Sequence, residues 1–308
     1  MTFRDQEQKR GEELIQRGFF DGDTGNGKFK GKLYPFVLQN GRFNLYPGIR
    51  DEVLEYFKQN SIAWWGGKHP TGHILSSQIS CLNHLFAIRN EKDAVLKLLK
   101  SVSNDFVDVF SIPENLEGYI QFEAVGGKEN FLNERKNTRG SNCTSVDALI
   151  CARHRDGRRF LIPIEWKYVE EYKNEDKSTG IKGDERKAHY LDLIKSSRYL
   201  NKHTLSCCWF EPFYQLMRQT LWAEQLLKHQ PEGFEADDYL HLNVVPEDNV
   251  ELLDKSYPCS NKGMVDTWKN CLKYPEKYVV ISPDQFWSKQ SKDTAIYEYL
   301  GKRYWGRN

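Results

Sequence analysis

The sequence predicts an α/β fold: a mixed β-sheet flanked by helices, with an N-terminal extension and an α-rich C-terminal tail. Three observations predict it. Residues 119–124 alternate, with Ile120, Phe122 and Ala124 on one face and Tyr119, Gln121 and Glu123 on the other, and residues 144–152 and 160–168 read as two further strands. Helical-period segments stand on either side, with Ile79, Leu82, Leu85 and Phe86 before and residues 212–228 after. Residues 239–245 then alternate and stop at Pro246, adding a strand. Helix, three strands, helix, strand packs most economically as a sheet covered on both faces.

The elements follow in order. Residues 1–63 read as an extension packed on a core of residues 64–250, and residues 251–308 as a helical extension of the same domain. Within the first part, residues 22–31 are turn-rich and residues 49–59 form a short helix. Gly and Pro punctuate residues 64–73 into a loop. Ser76 or Ser77 caps the next helix. Val95, Leu98, Leu99 and Val102 mark another over residues 93–102, and residues 104–113 break the pattern. Residues 126–142 are a polar loop, and Asp156-Gly157 marks a hairpin turn. Residues 173–187 mix both charges and read as a mobile surface insertion. Residues 279–281 suggest a short strand, with Ser282-Pro283-Asp284 opening a helix.

Composition sets limits. The chain has 308 residues, 39% hydrophobic and 13% aromatic, enough for a substantial core. Net charge is +1, so any basic surface is local. No apolar run approaches the roughly 20 residues of a membrane span. The polar start, residues 1–10, lacks the apolar stretch of a secretory signal. Seven cysteines occur without a CxxC pair. All seven are expected as reduced thiols in a cytoplasmic protein.

The chemistry concentrates in Asp147, Glu165 and Lys167. Glu165 and Lys167 are two apart on one strand and share a face. Whether Asp147 joins them depends on the turn. A two-residue turn at Asp156-Gly157 pairs Asp147 with Trp166 and sends it to the opposite face. A three-residue loop, Arg155-Asp156-Gly157, pairs it with Glu165, and Gly157 supplies the left-handed residue such a loop wants. The three-residue loop is therefore expected. Two converging carboxylates favour a nearby cation. Mg²⁺, with Mn²⁺ as substitute, suits hard oxygen ligands and phosphate. Lys167 would orient or deprotonate an attacking water, or neutralise phosphate charge. A Glu-x-Lys pair is usually a solvated face, but 161–168 is mostly apolar and reads as central. A purely structural salt bridge is the competing reading. Pro163 is awkward in such a strand, and a bulge beside the site would accommodate it.

At these residues the sequence resembles the PD-(D/E)XK nuclease superfamily, through Ser145-Val146-Asp147 and Glu165-Trp166-Lys167, with Val146 in place of the signature proline. More closely it resembles a bacterial family of restriction endonucleases, through Ser76-Ser77-Gln78 and Asn83, Phe122-Glu123, Thr144 to Asp147, and Ile164 to Tyr168. The resemblance covers about residues 64–250. It implies a restriction-endonuclease-like αβββαβ core and an Mg²⁺-dependent DNA endonuclease leaving a 5′-phosphate and a 3′-hydroxyl. It also implies Asp147, Glu165 and the backbone carbonyl of Trp166 as metal ligands, Lys167 as the catalytic lysine and Glu123 as an accessory acid. A solvated strand glutamate is the plain alternative for Glu123.

Further residues are weaker candidates. Gln215, Arg218 and Trp222 share one helical stripe. Gln215 would fix a carboxylate or water, and Arg218 a phosphate. Lys68, Arg135, Arg139, Arg155 and Arg158 are candidate contacts to double-stranded DNA. Solvated surface is the ordinary fate of such charges. Trp64 and Trp65 read as packing residues. A restriction or phage-defence role leads, and would allow a homodimer and a cognate methyltransferase. A repair or recombination nuclease, a non-catalytic DNA-binding protein of the same fold, and a glycosidase are the alternatives. The lysine beside Glu165 argues against the last, because it would hold the acid ionised.

Overall fold

The computed structural model describes residues 1–112, 118–127, 129, 131–134, 139 and 143–306. Helix α1 (Phe3–Gln16) and a small hairpin of β1 (Gly27–Phe29) and β2 (Lys32–Tyr34) precede α2 (Arg50–Gln59), α3 (Ser77–Leu85) and α4 (Lys92–Val102). Strands β3 (Phe106–Phe110), β4 (Gln121–Ala124), β5 (Val146–His154) and β6 (Arg159–Trp166) follow. Then come α5 (Gly180–Ser196), α6 (Phe213–His229), β7 (Asp238–Tyr239), β8 (His241–Val244), α7 (Val250–Leu253) and α8 (Met264–Cys271). Strand β9 (Tyr278–Ile281), α9 (Pro283–Phe286) and α10 (Ala295–Tyr304) complete the fold.

Among the described residues seven strands form one sheet, mixed as the sequence predicts. Its spine runs β3-β5-β6-β8-β9. Strands β3 and β4 pair antiparallel with successive stretches of β5, which pairs antiparallel with β6. Strands β7 and β8 lie parallel to β6, and β9 parallel to β8. The alternation of β5 divides two cores. Ala148, Ile150 and Ala152 join Leu82, Leu98 and Phe122 on the α3–α4 side. Leu149 and Cys151 join Leu216, Leu221 and Trp268 on the α6–α8 side. Burying both faces of the central strands is what makes them read as nearly continuous apolar runs.

Several expectations change. Pro163 sits in an unbroken ladder opposite Leu149, so no bulge is needed on that side. Its effect falls on the other edge. Leu240 N–H donates to the Leu161 carbonyl at 3.0 Å. The parallel pattern then calls for an N–H from residue 163 to Leu240, which proline lacks. Pairing lapses there, between β7 and β8. The break assigned to residues 104–113 contains β3, whose Phe106 and Val109 enter the core. Part of the stretch read as a mobile insertion is the start of α5, which packs Tyr190 and Ile194 against α6. Residues 119–124 do not alternate throughout. Glu123 has φ +48°, and this left-handed kink sends Phe122 to one core and Ala124 to the other. Finally, Cys207 and Cys259 form a disulfide across a separation of 52 residues, with Cα atoms 5.3 Å apart. That spacing is within bridging range, but no local motif announces it. The other five cysteines are buried and take no part in this bridge.

Candidate active site

The β5–β6 turn decides what meets at the site. His154 N–H donates to the Arg158 carbonyl, and Gly157 N–H to the His154 carbonyl, each at 2.9 Å. The loop is therefore Arg155-Asp156-Gly157, and Gly157 takes φ +91°. The resulting register pairs Ala148 with Ile164 and places Asp147 level with Glu165. Both occupy the α6 side of the sheet.

The backbone ladder between these strands stops at Ala148 and Ile164. Trp166 N–H, next in line to bond β5, donates instead to Asp147 Oδ2 at 2.7 Å. On its other edge β6 remains anchored, with Lys167 N–H donating to the Val244 carbonyl at 2.8 Å. The Trp166 side chain enters the opposite core, where its indole N–H donates to Ser80 Oγ at 3.1 Å. Strand alternation thus puts a core anchor between the two functional side chains.

Lys167 Nζ lies 2.5 Å from Glu165 Oε1 and donates to Gln215 Oε1 at 2.8 Å. Gln219 Nε2 donates to Glu165 Oε2 and, at 3.4 Å, to the Ser145 carbonyl. Gln215 and Gln219 are one turn apart on α6, so the helix presents two amides to the strand. Glu123 belongs to the same neighbourhood. Its carboxylate accepts from Gln78 Nε2 at 2.8 Å and from Ser145 Oγ at 3.2 Å. Gln78 also accepts the Trp65 N–H at 2.9 Å, tying the 64–73 loop to this acid.

Charge is crowded here. Burial, then Glu165 and Glu123, push the Asp147 carboxyl well above the usual carboxylate range, against a smaller pull from Lys167. Burial also raises Glu123, partly offset by its hydrogen bonds to Gln78 and Ser145. Burial disfavours charge on Lys167, but Glu165, Tyr172, Glu170 and Asp147 outweigh it and hold the amine protonated well above its normal range. Two buried acceptors near Glu165 have no hydrogen-bond partner among the described residues, Gln219 Oε1 and Asn243 Oδ1. Asn243 is the β8 register neighbour of Glu165. Mutually repelling carboxylates beside unpartnered oxygens are chemistry suited to a hard cation with its water. Among the described residues, no three His, Cys, Asp or Glu side chains form a ready-made cage. A cation held here would have to take carboxylates completed by backbone oxygen and water, a mixed set that Mg²⁺ tolerates.

The remaining candidates fall elsewhere. Arg218 is bound into a cluster with Glu134 and Thr144, at 3.1 and 3.0 Å, beside Tyr190. Trp222 donates to the Val125 carbonyl at 3.0 Å. Arg139 clamps the kinked strand, donating to the carbonyls of Phe122 and Glu123 at 2.9 and 3.1 Å. Arg155 pairs with Asp105 at 2.7 Å. Arg158 pairs with Asp156 and Asp238 at 2.8 and 2.7 Å. Both sit at the hairpin tip, seven to eight residues along the hairpin from Asp147, or roughly 24–27 Å at the rise of a strand. Lys68 is exposed on its loop, and Arg135 lies outside the described residues. Trp64 is buried and stacked on Phe57, as expected, whereas Trp65 is 46% exposed. Sequence reasoning missed Gln219, although its place one turn after Gln215 was a readable signal. It also missed Asn243, which only sheet register reveals, and assigned Gln78 no role.

Against known families, a family model described as "Restriction Endonuclease associating with ARP" matches residues 15–305. No curated protein and no solved structure matches the chain. No helix among the described residues is long and apolar enough to cross a membrane.

Proposed function

The chain belongs to that restriction-endonuclease family, and on this premise we propose that it is an Mg²⁺-dependent DNA endonuclease of restriction or phage-defence type. The observation that carries the reading is the register of the β5–β6 hairpin, which sets Asp147 level with Glu165 and leaves Lys167 in contact with Glu165. Asp147, Glu165 and the backbone carbonyl of Trp166 would hold the ion, with Glu123 as an accessory acid. When bound, Mg²⁺ supplies charge neutralisation at the phosphate and a more acidic bound water.

The chain's own residues do the rest. Lys167 orients the attacking water and offsets charge developing on the phosphate. Gln215 fixes the lysine, and Gln219 fixes the Glu165 carboxylate. Trp166 N–H fixes Asp147. Inversion at phosphorus with departure of the 3′ oxygen leaves a 5′-phosphate and a 3′-hydroxyl.

Plasmid DNA incubated with purified protein tests this. Nicking or linearisation in Mg²⁺, retained in Mn²⁺ and abolished by EDTA and by Lys167→Ala, is expected. Metal-independent cleavage, or full activity in Lys167→Ala, would refute it. DNA binding without cleavage under every metal condition would identify a binding protein of this fold instead.

A further inference from the structure

A second feature lies beside the catalytic centre, between the β1–β2 hairpin and the 64–73 loop. It is a groove of about 790 Å³. Its walls carry Lys28, Lys30, Lys68 and His69, all exposed, and no carboxylate lines it among the described residues. These lysines form no salt bridge among the described residues, unlike Arg155 and Arg158. Their charge is therefore available to a ligand.

The aromatic part is preorganised. The Trp65 ring stacks on Phe29 with centroids 5.3 Å apart and planes at 27°. Buried His73 packs edge-on against both rings, at 4.8 Å from Phe29 and 5.8 Å from Trp65. Lys30 Nζ lies over the Phe29 ring at 5.4 Å. An indole fixed from behind and nearly half exposed in front costs little entropy to use. The floor is equally fixed. Leu38 N–H donates to the Gly72 carbonyl at 2.8 Å, and a Cβ at Gly72 would lie 2.1 Å from the Leu38 carbonyl oxygen.

We infer that this groove holds an unpaired DNA strand, with a base stacked on Trp65 and phosphates on Lys28, Lys30 and Lys68, and leads it to the catalytic centre. Positive charge with a rigid exposed aromatic is the chemistry that takes a single strand, because every base has a stackable face. A duplex keeps its bases stacked on one another and offers an indole nothing. The direction follows from Gln78, whose amide joins Trp65 N–H to the Glu123 carboxylate. The inference rests on the nuclease reading only for the strand's destination. The binding itself stands apart.

The test is anisotropy of labelled oligodeoxythymidine, and of a labelled duplex, with full-length protein in EDTA. The single strand should bind more tightly. Trp65→Ala should weaken single-strand binding about ten-fold while Trp65→Phe retains most of it. Lys28→Glu with Lys68→Glu should weaken binding and flatten its salt dependence. Thermal melting of each variant checks folding. Single-strand affinity unchanged in Trp65→Ala, or a preference for duplex, would overturn the inference. If those results come with metal-dependent plasmid cleavage, the groove fails and the nuclease stands. If stacking is seen without cleavage in any metal, the nuclease reading fails and the groove stands.

Discussion

Replacing Lys167 by methionine should strand a buried carboxylate. Glu165 is 2% exposed and Lys167 6%, and their charged groups meet at 2.5 Å. Removing one partner of a buried ion pair costs about 3–5 kcal/mol, because the other charge loses its compensation. Gln215 Oε1 also loses its donor, which adds about 1 kcal/mol. Gln219 still donates to Glu165 and works in the other direction. The expected loss for Lys167→Met is therefore about 3–5 kcal/mol. Glu165→Gln with Lys167→Met removes both charges at nearly constant volume, and should recover to within about 1–2 kcal/mol of the parent. Urea unfolding in EDTA, followed by tryptophan fluorescence, measures all three. Mg²⁺ at a hundred times its dissociation constant should stabilise the parent by about 2.7 kcal/mol and the double variant far less. A loss under about 1 kcal/mol for Lys167→Met, or a double variant no better than the single, would mean that the pair behaves as a solvated one. The site's electrostatics as argued above would then be wrong.

Gln219→Leu should destabilise the metal-free protein by about 1.5–3 kcal/mol, the cost of a lost bond to a buried charge. It should slow Mg²⁺-dependent cleavage without changing single-strand affinity in EDTA. Unchanged cleavage would remove Gln219 from the site. Burial lowers His73 to about 4, with Arg4 adding to the effect, and burial lowers His84 and His241 to about 3. The unfolded chain binds these protons near pH 6.5 and the folded one does not. Their stabilisation is thus fully present above pH 6.5 and lost as pH falls towards 4 and 3. His73→Phe should flatten the urea stability profile over pH 6.5 to 4 by up to about 3 kcal/mol, and an unaltered slope would show His73 to be solvated. Titration of the unreduced, denatured chain should find five thiols, and seven would eliminate the Cys207–Cys259 bridge.

The hairpin at the heart of the site was legible because its signals are local. Gly157 selects the loop, the loop selects the register, and the register gathers Asp147 and Glu165. Helix α6 was legible from its periodicity, extending from Phe213 to His229 against an expected 212–228. What escaped depends on distant partners. Helix α1 shows a Thr2/Asp5 capping box, but only Phe3, Glu7, Gly11 and Ile15 are buried along it. Glu7 is held by the hydroxyl of Tyr168, 161 residues away. No short window shows such support. The left-handed Glu123 is held by Arg139, a loop residue 16 positions on. Gln219 reaches Glu165 across 54 positions. The exposed Trp65 and buried Trp64 are adjacent and chemically identical, so only their surroundings separate them.

The side-chain amide of Gln78 has a single workable sense. Its oxygen receives Trp65 N–H, and its nitrogen serves the Ala63 carbonyl and Glu123. Turned over, it would set donor against donor at one end and acceptor against acceptor at the other. Neither glutamate nor lysine offers both ends of this bridge. One side chain with a fixed polarity at each end therefore joins the main chain behind the exposed indole to the buried acid.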